Sequence, residues 1–203
     1  MNPSMTLIII AITVLVSWRA FDNERLLERL MLWPALMARR KQYERLLTHG
    51  FIHADWMHLI FNMVTLFFFG RQIEQVFGEG LSAAAGFAFF YLSAIGMAAL
   101  PAWLGHRQNP NYRSLGASGG TSAVLFAFIL FSPWSKLVIF PIPVPIPAIV
   151  FAVLYVAYSI WMERRGRDNI AHGTHLAGAA YGVLFMLLTQ PGLAGHFLRQ
   201  MRF

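Results

Sequence analysis

The chain has 203 residues, 57% hydrophobic and only 12% charged, with a formal net charge of +7 and no cysteine. A soluble domain carries about a quarter charged residues, so this balance excludes an ordinary water-soluble globule and indicates a polytopic membrane protein, one domain over 1–203. The missing cysteines exclude disulfides and thiol catalysis, and basic residues placed between apolar stretches favour lipid headgroups over nucleic acid as a partner.

The first apolar stretch, about 4–20, follows a start without the basic residues of a signal peptide and is read as a retained span. The next segment, about 21–55, places Leu26, Leu27, Leu30, Met31, Leu36 and Met37 at helical spacing among Arg25, Arg29, Arg39, Arg40 and Lys41. That pattern predicts an amphipathic first loop in the interface, split into two pieces by Pro34. Further spans are predicted at about 56–77, 81–103, 116–133, 146–162 and 170–190, all helical because lipid offers the backbone no hydrogen-bond partners. Gly78-Glu79-Gly80 is a tight turn and 104–115 an irregular loop. Pro141, Pro143, Pro145 and Pro147 require extended chain, with Pro147 placed to open the fifth span. Glu163 to Asp168 reads as an aqueous connection. The expected fold is an all-α bundle of six transmembrane helices with an interfacial first loop.

Six spans alternate in direction, so the second, fourth and sixth run parallel. They carry His58 and Asn62, then Gly116-Ala117-Ser118-Gly119-Gly120, then His172 and His175. At 1.5 Å per residue, His58, Ser118 and His175 lie roughly 3, 3 and 8 Å inside their spans, in one shallow layer. Ala171, His175, Gly178, Ala179 and Gly182 share one helical face, and such small residues let a neighbouring helix approach closely.

A serine hydroxyl is a poor nucleophile at neutral pH unless a base takes its proton, and an imidazole suits that role. The resulting oxyanion needs aimed donors. Ser118 lies near a helix start, where backbone N–H groups are free. His58 and Asn62 can add side-chain donors, with Gly116 beside them. No carboxylate lies in the fourth or sixth span, so a serine–histidine dyad is expected.

Several residues admit a second reading. His172 competes with His175 as the base, and Ser122 with Ser118 as the nucleophile. His49 and His53, with His58, are a possible metal set, but no cysteine or carboxylate group completes it and structural hydrogen bonding is preferred. Asn62 is also able to bond a neighbouring helix. Glu74 and Arg71 fit an ion pair or a cap. A soluble α/β-hydrolase elbow needs a preceding strand that the sequence lacks. A proton-relay transporter would show an inverted repeat, which is absent. No cofactor and no metal are expected.

The motifs resemble the rhomboid family of intramembrane serine proteases. Gly116-Ala117-Ser118-Gly119, His58 to Asn62, and His175 with Gly178 and Gly182 match its pattern in order on alternate spans, as do Gly70, Glu74 and Gly78. The resemblance implies Ser118 as nucleophile and His175 as base. It also implies an oxyanion site formed by the Ser118 N–H, His58 and Asn62, and cleavage of transmembrane segments of other proteins. Three positions depart from the pattern. Glu44-Arg45 stands in place of Trp-Arg, Ser122 in place of a Tyr or Phe that packs on the catalytic histidine, and His172 is an extra histidine.

The expected function is an intramembrane serine endopeptidase in a membrane, a bacterial cell membrane by this reading. The alternative is an inactive family member that binds or sorts membrane clients. Of the 16 Lys and Arg, all but Arg71, Lys136, Arg199 and Arg202 fall on the face of the odd-numbered loops. Charge alone places that face in the cytoplasm, whereas the resemblance implies the opposite orientation. Substrate and oligomeric state are not legible.

Overall fold

The computed structural model describes residues 4–139, 142–165 and 171–202. Eleven helices and one hairpin are present among them. Helix α1 (Met5–Phe21) is followed by two short helices, α2 (Glu24–Leu30) and α3 (Pro34–Arg40). Pro34 occupies the first turn of α3, where its missing N–H costs nothing. The predicted two-piece segment is therefore two helices. A single turn, α4 (Arg45–Thr48), then runs into a 3₁₀ turn, His49–Phe51.

The second predicted span is α5 (Trp56–Thr65), a π-helical turn (Leu66–Gly70) and α6 (Arg71–Val76). Gly78 (φ 109°) and Gly80 (φ 60°) make the turn into α7 (Gly80–Gly105), as left-handed backbone favours glycine. Helices α8 (Ser118–Phe131), α9 (Ala148–Arg165) and α10 (His172–Thr189) fall within a few residues of the remaining expected spans.

Three features differ from the sequence expectation. The all-α expectation is corrected by an antiparallel hairpin of β1 (Lys136–Ile139) and β2 (Ile142–Pro147), registered Lys136↔Pro147 and Leu137↔Ile146. The prolines do impose extended chain, and a facing strand pairs with it. Pro147 ends that strand rather than opening α9; Pro141 lies outside the described residues. A short helix, α11 (Leu193–Gln200), follows α10 at a bend of 113°. Its His196 and Gln200 side chains donate to the Phe131 carbonyl at 2.9 and 3.0 Å, closing the exposed end of α8.

By length and composition, α7 alone among the described residues is long and apolar enough to cross a membrane, or up to three segments if each sharply bent helix pair counts as one. Helix α1 has 17 residues and α8 has 14, short of the ~20 needed for a bilayer. Helix α9 ends on Glu163, Arg164 and Arg165.

Two contacts lock helices together. Glu74 caps α1: its carboxylate accepts from the N–H groups of Met5 (2.6 Å) and Thr6 (3.1 Å) and from the hydroxyls of Ser4 (2.5 Å) and Thr6 (2.8 Å). Of the two roles weighed for it, Glu74 takes the cap. Helices α8 and α10 meet backbone to backbone. A Cβ on Gly178 would lie 2.1 Å from the Gly119 carbonyl oxygen, and one on Gly182 would lie 2.2 Å from that of Ala123. The small-residue face predicted for α10 is thus its contact with α8. Gly182→Ala should lower unfolding stability in detergent by about 1–3 kcal/mol, the usual cost of overpacking. Unchanged stability would mean that the helices do not pack this closely.

Candidate active site

Helix α8 begins at Ser118, immediately after Gly116 and Ala117. Gly116 takes φ 120°, and a Cβ there would lie 2.6 Å from Cε1 and 2.7 Å from Nε2 of His58. Glycine is therefore required at this position twice over, by backbone conformation and by the imidazole against it. The Gly116 N–H donates to the His49 carbonyl at 2.9 Å. That N–H is already occupied, and Gly116 acts on the site by making room for His58.

His175, in the first turn of α10, sets its Nε2 2.7 Å from the Ser118 hydroxyl oxygen. The predicted pair is in direct hydrogen-bond contact, within the reach that nucleophile activation needs. The contact follows from the α8–α10 packing just below it. His58 is positioned by the cap of α5, where its backbone N–H donates to Asp55 Oδ1 at 2.8 Å. Asn62, one turn on, donates from Nδ2 to the His58 carbonyl (2.9 Å), and its Oδ1 accepts from the Thr121 hydroxyl (2.8 Å). Asn62 therefore does bond a neighbouring helix, α8, and this bond fixes its amide beside the serine. An Nδ2 carries two hydrogens, so one remains for a ligand.

Ser118, His175, His58, Asn62 and Gly116 all line one cavity of about 1080 Å³. Thr121, Ser122, Tyr155 and Asp55 contribute to the same wall. Asp55 is the acid there, and it is held as the α5 cap.

The weighed alternatives separate by geometry. Ser122 is 2.9 Å from the Tyr155 hydroxyl, whereas Ser118 is 2.7 Å from the His175 imidazole. His172 is buried, with its ring edge-on to His175 (centroids 6.0 Å) and to Tyr158 (5.7 Å). No cluster able to hold a metal occurs among the described residues.

His49 and His53 instead brace the loop that carries Ser118. His49 donates from Nδ1 to the Arg45 carbonyl at 2.9 Å. His53 Nε2 accepts the Ala117 N–H at 3.2 Å, which places the ring proton on Nδ1. That Nδ1–H donates to Ser17 Oγ (2.9 Å), and the Ser17 hydroxyl donates to the Phe51 carbonyl (3.0 Å). Helix α1, the first loop and the residue preceding Ser118 are thus joined through one ring. Arg45, the residue kept from the family's Trp-Arg pair, donates to the Glu28 and Met31 carbonyls at 2.7 and 2.8 Å and so closes the end of α2. A hydrogen-bonding role for both histidines is legible in the sequence; their partners are not.

Burial pushes His49 down to about 4 and His53 down to about 3, with the His58 charge adding to the effect on His53. A neutral ring is what His53 needs to accept the Ala117 N–H, whereas His49 is kept neutral by burial, against the pull of its own donated hydrogen bonds.

An apolar helical bundle with a hydroxyl–imidazole pair in a cavity of mixed polar and apolar lining is the class that fold and site define. Residues 40–191 match the Rhomboid domain family. The chain is 29% identical over 181 residues to "RHOMBOID-like protein 12, mitochondrial" of Arabidopsis thaliana, covering 84% of this chain and 53% of that protein. It is 30% identical over 138 residues to "Rhomboid protein 1, mitochondrial" of Saccharomyces cerevisiae, covering 67% of this chain and 39% of that one. "RHOMBOID-like protein 4" of Arabidopsis thaliana is 33% identical over 159 residues, covering 72% of this chain and 34% of that protein. The chain belongs to the rhomboid family, a family of membrane proteins. It spans about half or less of the length of these relatives. Two of them are named for mitochondria, so the expectation of a bacterial cell membrane finds no support in them.

The buried histidines set the acid response of stability. Above pH about 6.5 both rings are neutral whether the chain is folded or unfolded. Below it the unfolded chain takes protons that the folded chain refuses. Stability should therefore fall on acidification toward pH 4, by up to about 1.4 kcal/mol per pH unit for each ring. His53→Gln should flatten that slope in pH-dependent unfolding in detergent; an unchanged slope would remove His53 from the account.

Proposed function

We propose that the chain is an intramembrane serine endopeptidase working by a Ser118–His175 dyad. The observation that carries this reading is the 2.7 Å contact between the Ser118 hydroxyl and His175 Nε2 at the start of α8, inside a cavity lined by polar groups. His175 Nε2 accepts the hydroxyl proton as Ser118 attacks a peptide carbonyl. The oxyanion then faces the N–H of Ser118, the His58 ring and the Asn62 amide. Collapse expels the amine, which takes its proton from His175. Water, deprotonated by the same imidazole, attacks the acyl ester and frees Ser118.

The substrates are transmembrane segments of other proteins, reached from lipid. Family membership supports that choice. In the same reading the domain covers 1–203 and spans the membrane six times, with the short α1 and α8 accommodated by local thinning of the bilayer. Residues of the first loop lie at the lipid interface.

The test is labelling of detergent-purified protein with a fluorophosphonate probe, compared with Ser118→Ala and His175→Ala. Wild type should be labelled and both variants silent, and a chelator should change nothing. Equal labelling of Ser118→Ala would end the assignment. An unlabelled wild type would leave a family member that binds clients without cleaving them.

A further inference from the structure

We propose that Tyr155, held by Ser122, is a positioning residue for the base His175; this rests on the dyad reading above. Tyr155 lies on α9, which is neither the helix of the nucleophile nor that of the base. Its ring stacks on the His175 imidazole, with centroids 6.4 Å apart and planes 18° from parallel. Offset stacking at this separation is favourable and directional. The phenol oxygen lies 2.9 Å from Ser122 Oγ, and Ser122 is one turn after Ser118 on α8. Phe126 and Phe151 pack against the Tyr155 ring, both with centroids 5.6 Å away.

These contacts leave the tyrosine little freedom to rotate. One end is tied to the nucleophile's helix, the flanks are packed, and the ring lies in offset stacking beside the base. The imidazole is contacted on a second side by the edge of His172. His172 is in turn met by Tyr158, one turn along α9 from Tyr155. Helix α9 therefore holds the start of α10 through two aromatic contacts. The α8–α10 backbone contact sets how far apart Ser118 and His175 stand; Tyr155 sets the direction of the imidazole. Ser122, where family likeness expects a ring, serves as the anchor for a ring supplied by another helix.

The account requires the hydroxyl pair to act as one unit, and the ring to matter more than the hydroxyl. The experiment measures kinact and KI for a fluorophosphonate on the full chain in detergent, with thermal unfolding as a check of fold. Tyr155→Leu should lower kinact about tenfold or more, since small misplacements of a catalytic group cost up to about 100-fold. Its KI should stay within about threefold. Tyr155→Phe keeps the ring and should recover most of the rate. Ser122→Ala should match Tyr155→Phe, and the double variant should be no slower than either, because both remove the same bond. A folded Tyr155→Leu protein with unchanged kinact would overturn the proposal, as would additive losses for Ser122→Ala and Tyr155→Phe. If the wild type is not labelled at all, the dyad reading itself fails and this proposal falls with it.

Discussion

The close approach of α8 and α10 is the constraint on which the site depends. In lipid there is no hydrophobic force to drive helices together, so association rests on packing and polar contacts. Glycines at 178 and 182 remove the side chains that would hold the helices apart, and the backbones touch at Gly119 and Ala123. Once those two levels are set, the first turns of both helices are brought level. Ser118 then meets His175 without either side chain having to reach. A larger residue at either glycine would part the pair by displacing the helices, with no change to the chemistry of the two groups.

A second brace comes from the first loop. The loop before α8 would be free to drift if only Ser118 were held. Its Gly116 N–H is bound by the His49 carbonyl, its Ala117 N–H by His53, and Leu32 pairs with Ser114 through two backbone bonds of 2.9 and 3.0 Å. The first loop is itself kept in shape by Arg45 and by Thr48, whose hydroxyl donates to the Leu30 carbonyl at 2.8 Å. Buried polar groups of this kind are costly unless each finds a partner, and here they are spent on fixing backbone near the serine. His58 and Asn62 thus stand on α5, while Ser118 and His175 stand on α8 and α10.

Most local signals are legible in the sequence, Pro147 being the exception, and most pairings across the chain are not. Apolar runs, Pro34 and the Gly78–Gly80 turn locate helices to within a few residues because helix formation and termination are local events. Parity and depth joined Ser118 to His175, since antiparallel spans leave few ways to arrange them. The facing of Gly178 and Gly182 was legible as a small-residue stripe. The partners of His53 and Tyr155 were not, because their bonds cross 64 and 33 residues of chain. The hairpin escaped notice because alternating proline announces extended chain but says nothing about a facing strand. Helix α11 lay beyond the last apolar run and is joined to α8 only through side chains. The six-span reading rests on composition, while α1 and α8 are shorter than a bilayer is thick.

The central claim is that one hydroxyl, and only that one, is activated by one imidazole. Peptide mapping by tandem mass spectrometry after exposure to a fluorophosphonate addresses it most directly, because it locates the modified atom without needing a known substrate. A single adduct on Ser118 is the predicted result. An adduct on Ser122 instead, or Ser118 modified as fast with His175 replaced by alanine, would contradict the account.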